Sequence, residues 1–583
     1  MRLWTSFILA CLVLLFSAPH ESASGSELTV YVAKKFITMD PTRPIATAVA
    51  VRGDRIVSVG SIEDLEPWLR AHPHRFERRF QNDVVMPGLI DTHLHPLFGA
   101  LLLNLEWITP DAWDLGDRTV PATRTPGEFW DRLDSLLRST SAEQRDSLVA
   151  VWGWNENYHG PVTRSMLDGL GTGMAVMVWH RSTHEAVFNT VALAYLGIDE
   201  SVASEYPAQV DYANGHFWEA ALMDAAMPRI SQHWLSPDYI DRGYGRFIRY
   251  LLPSGITTVG DMATGGFDWE LELAALNRNL VANEAPFRTV IVPVASALAR
   301  SSGGLGESFQ VVDSFMSDPE PPPQLVLGKR IKLLADGAML SQLVRMNPPG
   351  YIDGHEGEWI MEPDELEVYA RKYWSAGYRI HVHANGDQGI GAVLSILEQL
   401  QSEAPRMPHN LVIEHYGYAD EALNRRVALA GAAVSANPYY VHLLSEEFSS
   451  HGFGADRARR MVPISSLVDR NVPVSLHSDF GIAPARPFQS AWAAVTRESL
   501  NGTVQSPPRG LTVAEAMRAI TVDAAYVLGL EQDIGSIQSG KKADFAILDR
   551  DPFAIDAVQL KDVRVLATVF EGAVAYEGGS QSP

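Results

Sequence analysis

The sequence predicts an α/β protein: a (β/α)8 TIM barrel with a composite β-sandwich from both termini and an insertion after barrel strand 1. Three observations predict it. Short apolar, strand-like runs recur with helix-length segments between most of them, seven beyond residue 250 and one near residue 90. Alternating β and α units make a parallel sheet, and eight of them suggest a closed barrel. Alternating runs at the two ends of the chain match each other, and neither set alone buries both faces of a sheet. Finally, residues 105–240 interrupt the rhythm and hold eight of the fourteen tryptophans.

The chain opens with Arg2 before an unbroken apolar run, Phe7 to Phe16, with small residues after it at Ala18 and Ser22–Gly25. That run is too short to span a bilayer and reads as a signal peptide over residues 1–25, so the protein is expected to be exported, periplasmic or secreted. Cys11, the only cysteine, lies in the middle of the run rather than at its end, so lipidation is not expected. The mature chain then has no thiol, and any metal is left to His, Asp, Glu or a modified Lys. Residues 26–84 contribute Leu28–Val32, Ala46–Val51, a Gly53–Asp54 turn and Arg55–Gly60; residues 530–583 contribute Ala543–Leu548, Val563–Phe570, a Glu571–Gly572 turn and Ala573–Tyr576. The barrel takes residues 85–104 and 241–529, and residues 105–240 are expected to roof its active site. With a net charge of −23 and a pI near 5.2, no nucleic-acid partner and no stable membrane anchor are expected. The expected partner is a small-molecule substrate, and homo-oligomerisation stays open.

Barrel enzymes carry their chemistry at the C-terminal ends of the strands. The stretch Val84–Pro96 runs from apolar residues into His93-Leu94-His95, and residues i and i+2 of a strand share a face. Paired neutral imidazoles are half of a transition-metal site. The other strands end in equally polar residues: Lys332 within the fourth, His383-Ala384-Asn385-Gly386-Asp387 after the fifth, Glu414-His415 on the sixth and His477-Ser478-Asp479 on the eighth. Four of these histidines, the lysine and one aspartate are therefore expected to converge on the barrel mouth. His383 rather than His381 is the expected fifth-strand residue, because His381 lies one layer deeper. A lysine inside a barrel has a depressed pKa; it is either paired with a buried acid such as Asp336 or free to form a carbamate with CO2.

These motifs resemble the amidohydrolase superfamily, specifically the amidohydrolase family 3 branch with its N-substituted formamide deformylase-like members. The pieces run from Gly53-Asp54-Arg55-Ile56 through Met86–His95, Gly255–Val259, Lys332 with Ala335-Asp336-Gly337, His383–Asp387, Ile413–His415 and Ser478-Asp479 to Gly540–Asp544. The resemblance implies one or two divalent ions, with Zn2+ expected, held by His93, His95, Lys332, His383, His415 and Asp479, and a carbamate on Lys332. Three departures stand out. His477 occupies the place of a glycine, Ser182-Thr183-His184 replaces Asp-Gly-His, and Asn437-Pro438-Tyr439-Tyr440 replaces a simpler Gln-Pro.

The reaction implied is metal-dependent hydrolysis of a non-peptide C–N bond, with a linear N-acyl or N-formyl amide as the expected substrate. Asp479 is expected to move the proton, and His415 or His184 to stabilise the carbonyl oxygen. Alternatives are a cyclic amide, carbamate or lactone as substrate, or an exported binding protein on a hydrolase scaffold; the complete ligand set argues against the last. The tryptophan-rich insertion points to an apolar or aromatic substrate part, contacted by Trp154, Tyr439 and Tyr440. Trp154 is chosen because Trp152 and Trp154 are expected to share one strand face.

Overall fold

A computed structural model describes residues 27–141, 147–218, 221–406 and 411–578. The expected signal peptide lies outside these residues, as does Asn410 at the start of the sixth expected strand. Among the described residues no helix is long and apolar enough to cross a membrane.

The parallel strands are β1 (Leu89–Leu94), β2 (Ile256–Thr264), β3 (Arg288–Pro293), β4 (Arg330–Leu334), β5 (Arg379–Ala384), β6 (Leu411–His415), β7 (Ala433–Ala436) and β8 (Val474–Leu476). One sheet pairs β1, β2 and β3 in that order, with the short strand Leu325–Val326 at its edge; a second pairs β4 through β8 in sequence order. The sheets meet at both edges. A parallel bridge joins Val294 to Lys332 beside β3 and β4. Beside β8 and β1, Thr92 Oγ1 lies 3.0 Å from Ser475 Oγ, and the Asp479 N–H donates to His93 O at 2.9 Å. All of β1 is buried, and the C-terminal ends of β1, β4, β5, β6 and β8 carry the ionisable residues. Closeness of β1 to β2 requires glycine: a Cβ on Gly260 would lie 2.2 Å from Thr92 O.

Strands from both ends of the chain join one sheet of eight. Val84–Pro87 is its junction, paired antiparallel with Phe545–Leu548 and parallel with Lys35–Phe36. The apolar run before the His-x-His pair is therefore two strands broken at Gly88, and the boundary expected at residues 84/85 falls at Gly88 instead. Tyr31, Phe36, Val49, Val51, Phe545 and Val569 form this sheet's core on one face, while Leu65 of helix Ile62–Ala71 covers Val30, Ala48 and Ala50 on the other.

Residues 105–240 build a six-stranded sheet of their own, with Val149–Trp154 and Val176–His180 parallel at its centre. Helix Pro237–Leu251 straddles the boundary expected at 240/241. It lies against helix Pro96–Leu103, where a Cβ on Gly243 would sit 2.3 Å from Ala100 O.

Candidate active site at the strand ends

The strand ends bring every expected ligand residue to one cavity. Its volume is about 360 Å³, and His93, His95, Lys332, His383, His415 and Asp479 line its floor. The rings of His93 and His95 are 5.1 Å apart, those of His93 and His415 4.5 Å, and those of His383 and His415 4.4 Å. Asp479 closes the group, with Oδ1 3.2 Å from His95 Nε2 and Oδ2 3.7 Å from His415 Nδ1. Two of these residues hold unusual backbone conformations, His415 at φ +75° and Asp479 at φ +49°. Each costs about 1–3 kcal/mol and persists where the surroundings over-determine it. Here the His415 carbonyl accepts from Asn437 N at 3.2 Å. Asp91 accepts from Ser478 N at 3.1 Å, which ties the Asp479 segment to β1.

Glu414 organises the histidines. It is fully buried, and its two oxygens accept from His93 Nδ1 at 2.7 Å and His381 Nδ1 at 2.6 Å. Burial pushes its pKa up, but the His381 hydrogen bond and the Lys332 charge outweigh burial and hold it down to about 2. An anion there fixes His93 with its proton on Nδ1 and leaves Nε2 for the cavity, the usual carboxylate–histidine arrangement behind a metal. His381 is buried below the cavity floor and is absent from its lining, whereas His383 lines it.

Burial, followed by the Lys332 charge, pushes His93 well below the ordinary histidine value and His383 to about 3. Burial likewise pushes His415 well down. These imidazoles stay neutral near pH 7 and offer lone pairs. Lys332 is buried, its Nζ has no hydrogen-bond partner among the described residues, and burial pushes it down to about 8 against the pull of Glu414 and Asp479. Asp336 is not its partner. Its carboxylate accepts the backbone N–H groups of Asn385, Gly386 and Arg345 at 2.8, 2.8 and 3.1 Å, and burial pushes it up to about 7 against those donors. Buried polar atoms left without partners include Lys332 Nζ, His415 Nδ1 and His477 Nε2. Neutral nitrogens, a carboxylate and an unpaired amine around one cavity fit a divalent transition-metal ion.

The walls correct part of the expected substrate contacts. Tyr440 and His184 line the cavity. Tyr439 does not; it is buried with its ring 4.9 Å from that of His442. Both tyrosines open helix Tyr439–Glu447, where consecutive residues point about 100° apart. Trp154 also lies elsewhere, in the core of the insertion with Phe129, Leu133 and Val178, its Nε1 donating to Gly160 O at 3.0 Å. Trp152 lines the cavity instead, beside Trp179, its partner on the adjacent strand. The two tryptophans do not share a face because Gly153 (φ +110°) introduces a bulge between them. A side chain is excluded at Gly153, since a Cβ would lie 2.4 Å from Thr109 Cγ2.

The sequence patterns give no role at a metal centre to Glu414 or His477, the latter expected only as a substrate-facing departure, and do not single out Phe98, Trp179 and Met227 as wall residues. Glu414 carried a usable signal, because a carboxylate ending the apolar run Leu411–Ile413 is costly to bury unless paired. The wall residues carried none, since Phe98 and Met227 lie on helices and Trp179 on a strand buried along its whole length, where no alternation marks the cavity face.

The model of the amidohydrolase family, Amidohydro_3, matches residues 81–576. The chain belongs to this family. It is a metal-dependent amidohydrolase acting on carbon–nitrogen bonds. It is 27% identical over 562 residues to the N-substituted formamide deformylase of Arthrobacter pascens, across 93% of this chain and 96% of that one. Protein LONG AFTER FAR-RED 3 of Arabidopsis thaliana is 24% identical over 558 residues, across 92% of this chain and 90% of the relative. Among solved structures, a metal-dependent hydrolase from Pyrococcus horikoshii OT3 superposes with a TM-score of 0.69 at 20% identity, covering 91% of this chain and 99% of that one. That likeness shows the shared α/β fold.

Proposed function

We propose that this amidohydrolase cleaves a linear N-acyl or N-formyl amide with an apolar or aromatic part. The observation that carries the reading is the cavity: its floor is histidine, lysine and aspartate, and its walls are Phe98, Trp152, Trp179, Met223, Met227 and Met262. The amide end of such a substrate meets the polar floor, and its apolar part meets the walls. The match to a formamide deformylase supports a linear over a cyclic amide. His93, His95, Lys332, His383, His415 and Asp479 are the residues that would hold the ion, with Zn2+ suited to them. The chemistry a divalent cation supplies in such a set is a lowered pKa for water and a polarised carbonyl.

The chain's own residues do the rest. Burial pushes Asp479 up, but the His95 hydrogen bond and the charges of His95, His477 and Lys332 hold it below the usual aspartate value. Its carboxylate therefore accepts a proton from the attacking water and returns it to the leaving nitrogen. His184 enters the cavity from a loop turned by Thr183 (φ +68°) and pinned by Trp179 Nε1 donating to Thr183 O at 3.0 Å. There it stabilises the carbonyl oxygen as charge develops. The buried amine of Lys332 is suited to adding CO2, forming an N–C bond and releasing a proton, to give an anionic carbamate. Lys332→Ala should then lose metal, and short carboxylic acids should partly restore activity; an unmodified Lys332 in the electron density of the active, metal-loaded enzyme excludes the carbamate.

In the same reading the two parallel sheets close as one (β/α)8 barrel. The terminal sheet folds over its Phe545 core as the composite sandwich, residues 105–240 roof the site, and the chain is exported. The test is metal analysis of the purified protein, then a screen of arylalkyl formamides, N-acetyl amines, lactams and lactones. Linear arylalkyl amides should have the highest kcat/KM; a lactam or lactone leading the series overturns the linear reading.

A further inference from the structure

We propose that His477 is a metal ligand in this chain, completing a three-nitrogen seat with His93 and His415. The inference rests on the metal-dependent reading of the cavity. One nitrogen from each of the three rings lies within 4.8 Å of the others, a grouping able to hold one ion. The rings are 4.7 Å apart between His93 and His477 and 5.2 Å between His415 and His477, and all three side chains are buried. The resemblance leads to the expectation of glycine at position 477, so this nitrogen is an addition to that pattern.

The hydrogen bonds decide which nitrogens are free. His93 Nδ1 is spent on Glu414, so His93 has Nε2 alone to give. His477 Nδ1 lies 2.7 Å from Ser435 Oγ, which leaves Nε2 buried and without a partner among the described residues. Behind Ser435 runs a chain of hydroxyls, Ser435 Oγ to Thr92 Oγ1 at 2.9 Å and Thr92 Oγ1 to Ser475 Oγ at 3.0 Å. When His477 Nδ1–H donates to Ser435 and each hydroxyl donates to the next, every acceptor is satisfied. His477 Nε2 is then a buried lone pair with no donor assigned to it. Buried imidazole lone pairs without donors, grouped as these three rings are, form an unfavourable arrangement that a cation relieves.

His93, His95 and Asp479 form a second triad of ligand atoms within 4.8 Å. The two triads share His93, so His477 extends the same ligand set. Three imidazoles also favour Zn2+, Co2+, Ni2+ or Cu2+ over the oxygen-seeking Mg2+ and Ca2+.

The experiment compares wild type with His477→Gln and His477→Gly by metal content per chain, Zn2+ affinity in chelator competition, and the visible absorption of the Co2+-loaded protein. The proposal expects Zn2+ affinity lowered by more than about 10-fold in both variants and an altered Co2+ spectrum, with Ser435→Ala giving a smaller loss of roughly 10-fold. Unchanged affinity and spectrum in both His477 variants, with wild type holding metal, overturn this inference alone. A wild type that holds no metal overturns the metal-dependent reading with it. Should neither His477 variant fold, Ser435→Ala decides: it keeps His477 but removes its Nδ1 partner, and unchanged affinity there overturns the proposal.

Discussion

The floor and the walls of the cavity come from different kinds of structure. The floor is built from strand ends in a parallel sheet, where position along a strand dictates position in the site. The walls come largely from residues 105–240, a smaller sheet in which one glycine turns the next side chain to the opposite face. Trp152 and Trp154 illustrate the difference. Two residues apart, they belong to different cores because Gly153 bulges between them. Regular strands transmit a pattern from sequence to geometry, and a bulge inverts it.

The largest expected effects lie on the floor. Asp479→Asn should lower kcat by about 10²- to 10⁴-fold, the usual worth of a positioned proton-transfer group. His383→Ala should release metal while His381→Ala keeps a bound ion, read by metal content per chain. The reverse result shows that the two β5 histidines are assigned to the wrong layers.

On the walls, the comparison is sharpened by a pair of tryptophans. Trp179→Ala should raise KM for arylalkyl amides by roughly 10- to 100-fold, from the loss of about 1.5–3 kcal/mol of apolar contact. Trp154→Ala should cost roughly 3–5 kcal/mol of stability as a large-to-small core change, without altering the preference for aromatic over alkyl amides. A Trp154→Ala protein that melts normally but loses that preference breaks the assignment of the two faces.

The smallest effect concerns the insertion's own core. His159 stacks on Phe129 at 4.8 Å, accepts from Asn155 N through Nδ1 at 3.1 Å, and directs Nε2 to Thr123 O at 2.9 Å. Burial pushes its pKa down from 6.5 to about 4, so the folded state holds it neutral where the unfolded state takes up a proton. Its contribution is therefore intact above pH 6.5 and is lost as the pH falls toward 4, by roughly 3 kcal/mol at most. His159→Gln should flatten the fall in melting temperature between those pH values; an unchanged slope assigns the acid sensitivity to other groups.

Much of this molecule was legible in its sequence for reasons of periodicity. The eight parallel strands follow from apolar runs at helix-length spacing, and the six floor residues from polar residues at the ends of those runs. Three things were hidden. Gly88 divides the run before His93 between two sheets, which a continuous apolar stretch cannot reveal. Tyr439 and Tyr440 open a helix, so one of them turns away from the cavity. His477 read as a departure from a family pattern, and its place among His93 and His415 depends on how β8 lies beside β1, a relation between residues nearly four hundred positions apart.

The most direct test of the central claim is amine release from an arylalkyl formamide by Zn2+-reconstituted wild type and by Asp479→Asn, with metal content measured on the same samples. The account predicts turnover by the wild type that scales with bound metal, and loss of turnover in the variant. Equal turnover in the variant, or turnover by wild type stripped of metal, would contradict it.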